Sequence, residues 1–177
     1  MLEYRWEKFL LKDAPRRTKI VYTALLVYLL LGLATIIAIE AIKTGWTPQG
    51  VADYYRGSEA KLKFEKSPLE MLEVSHMHLF SVPVVFFILG HAFLMTTLPE
   101  RTKLSVVGVS LAAVFLSIGT PWLVRFGSGA MGWVKVAADL TLAATLLIMV
   151  IYPLYEMWWK PPVRVHRKAG ASQGGAQ

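Results

Sequence analysis

The chain has 177 residues, 55% of them hydrophobic and only 18% charged, with a mean hydropathy of +0.46. That is far too apolar for a soluble domain of this size and places the chain among membrane proteins. Cysteine is absent, which excludes disulfides, thiolate-held iron–sulfur clusters and haem attached through C-x-x-C-H, so any metal must rest on histidine, carboxylate or methionine. The formal charge of +7 reads as membrane orientation, since the basic residues sit in the connections and no nucleic-acid motif accompanies them.

Four apolar runs, at about 20–42, 68–98, 103–126 and 131–159, each reach the roughly 20 residues a spanning helix needs. Helices satisfy their backbone groups within their own segment, so the pattern predicts an all-α, four-helix transmembrane bundle in a lipid bilayer. Residues 1–19 form an arm before it. Leu2, Trp6, Phe9 and Leu10 share one helical face there, which predicts a short interfacial helix ending at Pro15. The arm carries Arg5, Lys8, Lys12, Arg16, Arg17 and Lys19, the 2–3 turn Arg101 and Lys103, and the tail Lys160, Arg164, Arg167 and Lys168. With twelve of the nineteen basic residues on one side, the positive-inside rule predicts both termini in the cytoplasm and a multi-pass protein of the bacterial inner membrane.

The first span is uncharged until Glu40. The outer loop, 43–67, is the one sizeable extramembrane piece. Within it Thr47-Pro48-Gln49-Gly50 reads as a turn, Val51–Arg56 as a short helix stopped by Gly57, and Lys61–Lys66 as an extended strip with period-two alternation. Trp46, Tyr54 and Tyr55 fit an interfacial aromatic belt.

The second span opens on a capping box: Ser67 caps, Pro68 takes the first helical position and Glu70 reaches back. It holds three of the four histidines in the chain. The combination TPQGVADYYRG followed by EVSHMHLF resembles an uncharacterised group of small four-span bacterial membrane proteins, best over Thr44–Thr97; that likeness implies topology and no chemistry. More distantly, histidine-bearing four-helix spans are similar to small b-type membrane cytochromes.

At about 100° per residue, His76 and His91 lie some 60° apart around the axis and about 22 Å apart along it, the spacing by which one helix ligates two stacked haems. Gly90 beside His91 would let a flat macrocycle approach. Pro83 predicts a bend between the two levels. His78 lies nearly opposite His76, whereas Glu73 and His76 share a face. Spans one, three and four contain no histidine, so a second axial ligand must come from a homodimer, from Met149 or Met157, or from a partner subunit.

A second constellation competes at the outer half of the bundle, where Glu40, Glu70, Glu73, His76 and His78 approach Lys135 and Asp139 of the fourth span. Glu73, His76 and His78 with Asp139 could hold a copper, iron or zinc ion, or form a proton or quinone site. The structural reading is a buried polar knot, with Lys135 neutralising Asp139 four residues on. In the third span Gly119-Thr120-Pro121 predicts a kink. Gly127-Ser128-Gly129 is a tight turn that makes spans three and four antiparallel. The fourth span ends in an aromatic anchor of Tyr152, Tyr155, Trp158 and Trp159, with Pro153 bending it. The tail, 160–177, has nothing to bury and reads as disordered, with His166 outside any site.

No nucleophile elbow, phosphate-binding glycine loop or H-E-x-x-H is present, and four spans without an inverted repeat do not suggest a transporter. Three classes stay open: an electron-transfer subunit binding haem b or quinone and working with a membrane or periplasmic partner or a second copy; a metal-binding membrane protein; and a structural or assembly subunit. The reading adopted is the first, a non-catalytic subunit with His76, His91 and His78 as cofactor-binding residues.

Overall fold

The computed structural model describes residues 9–161. They form five α-helices and three short 3-10 turns, with no strand among the described residues: α1 (Arg16–Thr44), α2 (Pro48–Arg56), α3 (Pro68–Leu94), α4 (Glu100–Phe126) and α5 (Gly132–Trp159). Four of the helices, α1, α3, α4 and the last with its preceding turn, are long and apolar enough to cross a bilayer, so this is a multi-pass membrane protein. The interfacial helix expected over the arm lies mostly outside the described residues; what is described there is a 3-10 turn at Leu11–Asp13. The tail reading from 162 on, and His166, lie outside them; Lys160, assigned to the tail by sequence, is held by Glu156 at 2.8 Å.

Local chemistry sets the ends of the helices. Pro15 precedes α1, and Gly45, in the left-handed region at φ 61°, closes it. Ser67 and Glu70 form the expected capping box of α3, with Ser67 Oγ accepting from Glu70 N at 3.2 Å and Glu70 accepting from Ser67 N at 2.8 Å. α3 stops at Leu94, short of the expected 98, because the chain must turn there to bring the Thr97 N–H onto Glu156, 2.9 Å away. α4 and α5 run through Pro121 and Pro153 as single helices, and α3 likewise through Pro83.

Two expectations for the loop are corrected. Thr47-Pro48-Gln49-Gly50 is the first turn of α2, with Thr47 Oγ1 accepting from Gly50 N at 3.0 Å and proline in the first turn. The predicted extended strip at Lys61–Lys66 is a 3-10 turn at Glu59–Lys61 followed by a single antiparallel bridge between Ser58 and Lys63. Its alternation instead sends Leu62 and Phe64 outward, 89% and 93% exposed. Gly57 ends α2 as expected, at φ 84°.

α5 is the centre of the bundle. It packs most extensively on α4, its antiparallel neighbour, and also touches α1, α2 and α3. Leu26, Leu89, Phe93, Met149, Val150 and Met157 form one core with Leu11, whose N–H donates to the Met95 carbonyl at 3.0 Å. A second core of Val51, Val124 and Val136, with Tyr55 against it, lies at the end of the bundle beneath α2, here called the loop end. α2 approaches closely because a glycine stands at each of two contacts, Gly50 of α2 and Gly132 of α5. A Cβ on Gly50 would run into the Thr44 carbonyl, and one on Gly132 would lie 2.5 Å from the carbonyl oxygen of Pro48.

Candidate functional site

α3 divides lengthwise. Met71, Leu89 and Phe93 are buried against the bundle, while Glu73, His76, Phe80, Phe87 and His91 lie on the opposite, exposed side. All three histidines of the span are exposed. The His76 ring lies 4.9 Å from that of Phe80, and His91 stacks on Phe87 at 6.2 Å and 17°. His78 points elsewhere, with its Nδ1 2.7 Å from the Val74 carbonyl oxygen. A carbonyl oxygen can only accept, so Nδ1 is the donor in that contact.

One groove on the lipid-facing side contains a histidine. α1 and α3 each rest on α5, and between them Val21, Tyr22, Leu25, Phe87, Ile88 and His91 line a cavity of about 240 Å3. Its walls are apolar apart from the His91 imidazole and the Tyr22 phenol. This volume is below the roughly 300–1,000 Å3 of pockets that enclose a drug-sized ligand. It has room for one ring whose tail lies in lipid. Tyr22 escaped sequence reading, because one aromatic in an apolar span carries no signal until its neighbour across the groove is known.

The features expected to complete a haem site lie elsewhere. Gly90 faces inward, with Met149 Cε and Phe86 closest to where a Cβ would stand. Met149 is fully buried and Met157 2% exposed, both within the core, whereas His91 is on the outside. Among the described residues, His76 and His91 thus stand on the outside of α3 at their two levels, and Met149 and Met157 are not beside them.

The metal set is likewise not assembled by one chain. Among the described residues no three His, Asp or Glu side chains gather so as to hold an ion. Asp139 turns into the α4–α5 interface instead, accepting from Lys135 Nζ at 2.5 Å and from Ser117 Oγ at 2.6 Å. The side chains of Lys135 and Asp139 are 7% and 11% exposed, so the expected pair is formed and dry. Farther from the loop end Ser110 and Thr145 share a buried hydrogen bond of 2.7 Å, and nearer to it Trp122 donates to Ser75 at 2.9 Å. Tyr55 of α2 closes this cluster from above. Burial chiefly holds its phenol above the ordinary value, with Glu40 and Asp139 adding to the effect.

Outside the spans, Asp53 of α2 is buried and accepts from Lys61 and Gln49, at 2.7 and 2.8 Å. These bonds hold its carboxyl below the usual carboxylate range. It lines a cavity of about 430 Å3 with Gln49, Arg56 and Trp133, although Arg56 is occupied by the carbonyls of Val124 and Gly127. At the opposite end of α5, Glu156 is fully buried and binds Thr97 and Lys160. Sequence reading passed over it. Its signal was a carboxylate four residues before a lysine inside an aromatic helix end.

The family model of Aq_1264_TM, a transmembrane helical domain, matches residues 45–164. The chain belongs to this family. Membership in the Aq_1264_TM family agrees with the likeness to small four-span membrane proteins, and it lends nothing to the likeness to b-type cytochromes. No curated protein and no solved structure matches the chain.

Proposed function

We propose that this Aq_1264_TM protein is an integral membrane subunit of an electron-transfer assembly that binds a quinone head group between α1 and α3. One observation carries the reading: the groove that opens to lipid beside Phe87 and Ile88 has an imidazole, His91, on an apolar wall. A quinone is a single polar ring on a lipid tail, and it requires a hydrogen-bonding group inside an apolar cleft. His91 would hold one carbonyl, Tyr22 offers a second polar contact, and Phe87, stacked on His91, keeps the imidazole turned to the groove. When bound, a quinone supplies two-electron, two-proton redox chemistry. The chain's own residues bind and orient it and exchange protons at the imidazole.

The distribution of basic residues supports an inner-membrane protein with both termini in the cytoplasm. In that orientation the loop end faces outward. The exposed Leu62, Phe64 and Trp133 around it are then the natural contact for a periplasmic or membrane partner.

The test is to purify the chain in nanodiscs and measure bound quinone by extraction, then titrate a short-tailed quinone. His91→Leu should lose at least tenfold in retained quinone, Tyr22→Phe less, and His78→Leu nothing. Wild-type protein that binds no quinone, or His91→Leu binding it as well as wild type, would overturn the proposal. So would a dithionite-reduced spectrum with a b-type α band from haem held at His91.

A further inference from the structure

We propose that the exposed side of α3 is the seam of a parallel, two-fold homodimer, closed by reciprocal Glu73–His76 pairs between the two copies. This goes beyond the quinone reading and does not depend on it; Phe87 and His91, at the far end of the seam from Glu73, also border the quinone groove, which in the dimer lies on the α1 flank of the seam. Glu73, His76, Phe80, Val84, Phe87 and His91 follow one another at steps of three and four residues, the spacing of a helix–helix seam. All six are exposed, on the side of α3 opposite buried Met71, Leu89 and Phe93. Outward apolar stripes occur on α1 and α4 too and need nothing but lipid. The difference on α3 is ionisable. Among the described residues neither Glu73 nor His76 has a hydrogen-bond or salt-bridge partner, and such groups on a lipid-facing helix are costly when left alone.

The two groups complement each other in the way a two-fold axis requires. On an ideal helix, counted from the line through Phe80 and Phe87, Glu73 lies about 30° to one side and His76 about 30° to the other, with about 4.5 Å between them along the axis. All copies share one orientation in a bilayer, so the axis stands along the membrane normal and equivalent residues keep equal depth. Rotation by that axis brings Glu73 of one copy to the side on which the partner's His76 lies, and the same contact forms again on the other flank. Phe80 and Phe87 then meet their own equivalents on the axis. A different membrane partner would need an imidazole and a carboxylate at these same two depths; a second copy already has them.

Because the chain has no cysteine, single cysteines can be introduced without background. Full-length Phe80→Cys and Phe87→Cys proteins, oxidised in native membranes, should give disulfide-linked dimers. Tyr28→Cys on α1 and Phe115→Cys on α4, 75% and 82% exposed in the parent, should not. Adding Glu73→Gln or His76→Leu to Phe80→Cys should reduce the cross-link at least threefold, and the exchange Glu73→His with His76→Glu should restore it. Cross-linking that is absent from α3, equal at the control positions, or indifferent to Glu73 and His76 would overturn the proposal, as would a failure of the exchange to restore it.

Discussion

Replacing Asp139 by leucine should destabilise the bundle by about 3–5 kcal/mol, the usual consequence of removing one member of a buried ion pair. The structure explains why the figure should be high. The Lys135 side chain is 7% exposed and its ammonium lies 2.5 Å from the carboxylate, so the substitution strands a charge that water cannot reach. Ser117 contributes far less: interhelical hydrogen bonds in membranes average about 0.6 kcal/mol, the loss expected for Ser117→Ala. Asp139→Asn, which keeps an acceptor but no charge, should fall between them at about 1.5–3 kcal/mol. The paired change Lys135→Met with Asp139→Leu removes both charges and should return to within about 1 kcal/mol of wild type. Reversible unfolding in mixed detergent micelles, run as a double-mutant cycle, measures all of these. If Asp139→Leu alone lost less than about 1 kcal/mol, or the double variant were no better than the single, the pair could not be dry and the reasoning would be wrong.

Gly50→Ala should push α2 off the Thr44 carbonyl at a cost of about 1–3 kcal/mol, visible as faster proteolysis within 45–57. Glu156→Leu should lose about 1–3 kcal/mol of thermal stability, less than Asp139→Leu, because Lys160 at 31% side-chain exposure can turn to water. Asp53 has a lowered carboxyl value in the fold, so it stabilises at pH above its unfolded value of roughly 3.9, and that contribution is lost as pH falls through the lower folded value. The stability difference between wild type and Asp53→Asn should accordingly shrink toward zero on acidification from pH 6. A difference that stays constant would show that Asp53 is not ionised through its bonds to Lys61 and Gln49.

The ends of the helices were legible where a side chain signals to its own backbone. Ser67, Pro68 and Glu70 announce the start of α3, and Gly57 the end of α2. Thr47-Pro48 carries the same kind of signal for α2, but Gly50 beside it reads as a turn because a sequence does not reveal that the Thr44 backbone requires a missing Cβ. Which side of each span is packed could not be read. In water an outward face is polar and the period gives it away. In lipid the outward Phe80, Val84 and Phe87 are as apolar as the inward Leu89 and Phe93, so His76 and His91 could be placed relative to each other but not relative to the bundle. The same ambiguity hid Tyr22, which matters only through its position across the groove from His91. Asp139 was readable because a charge in an apolar run has few ways to be neutralised and Lys135 lies one turn away.

Leu11 is completely enclosed, and its amide is stitched to Met95 ahead of the first spanning helix. The segment leading into the membrane is thus a wedge in the folded body and not a free tether. A version of the protein shortened to begin at Arg16 would uncover Phe93 and Met157 and strip a donor from the bend that follows α3.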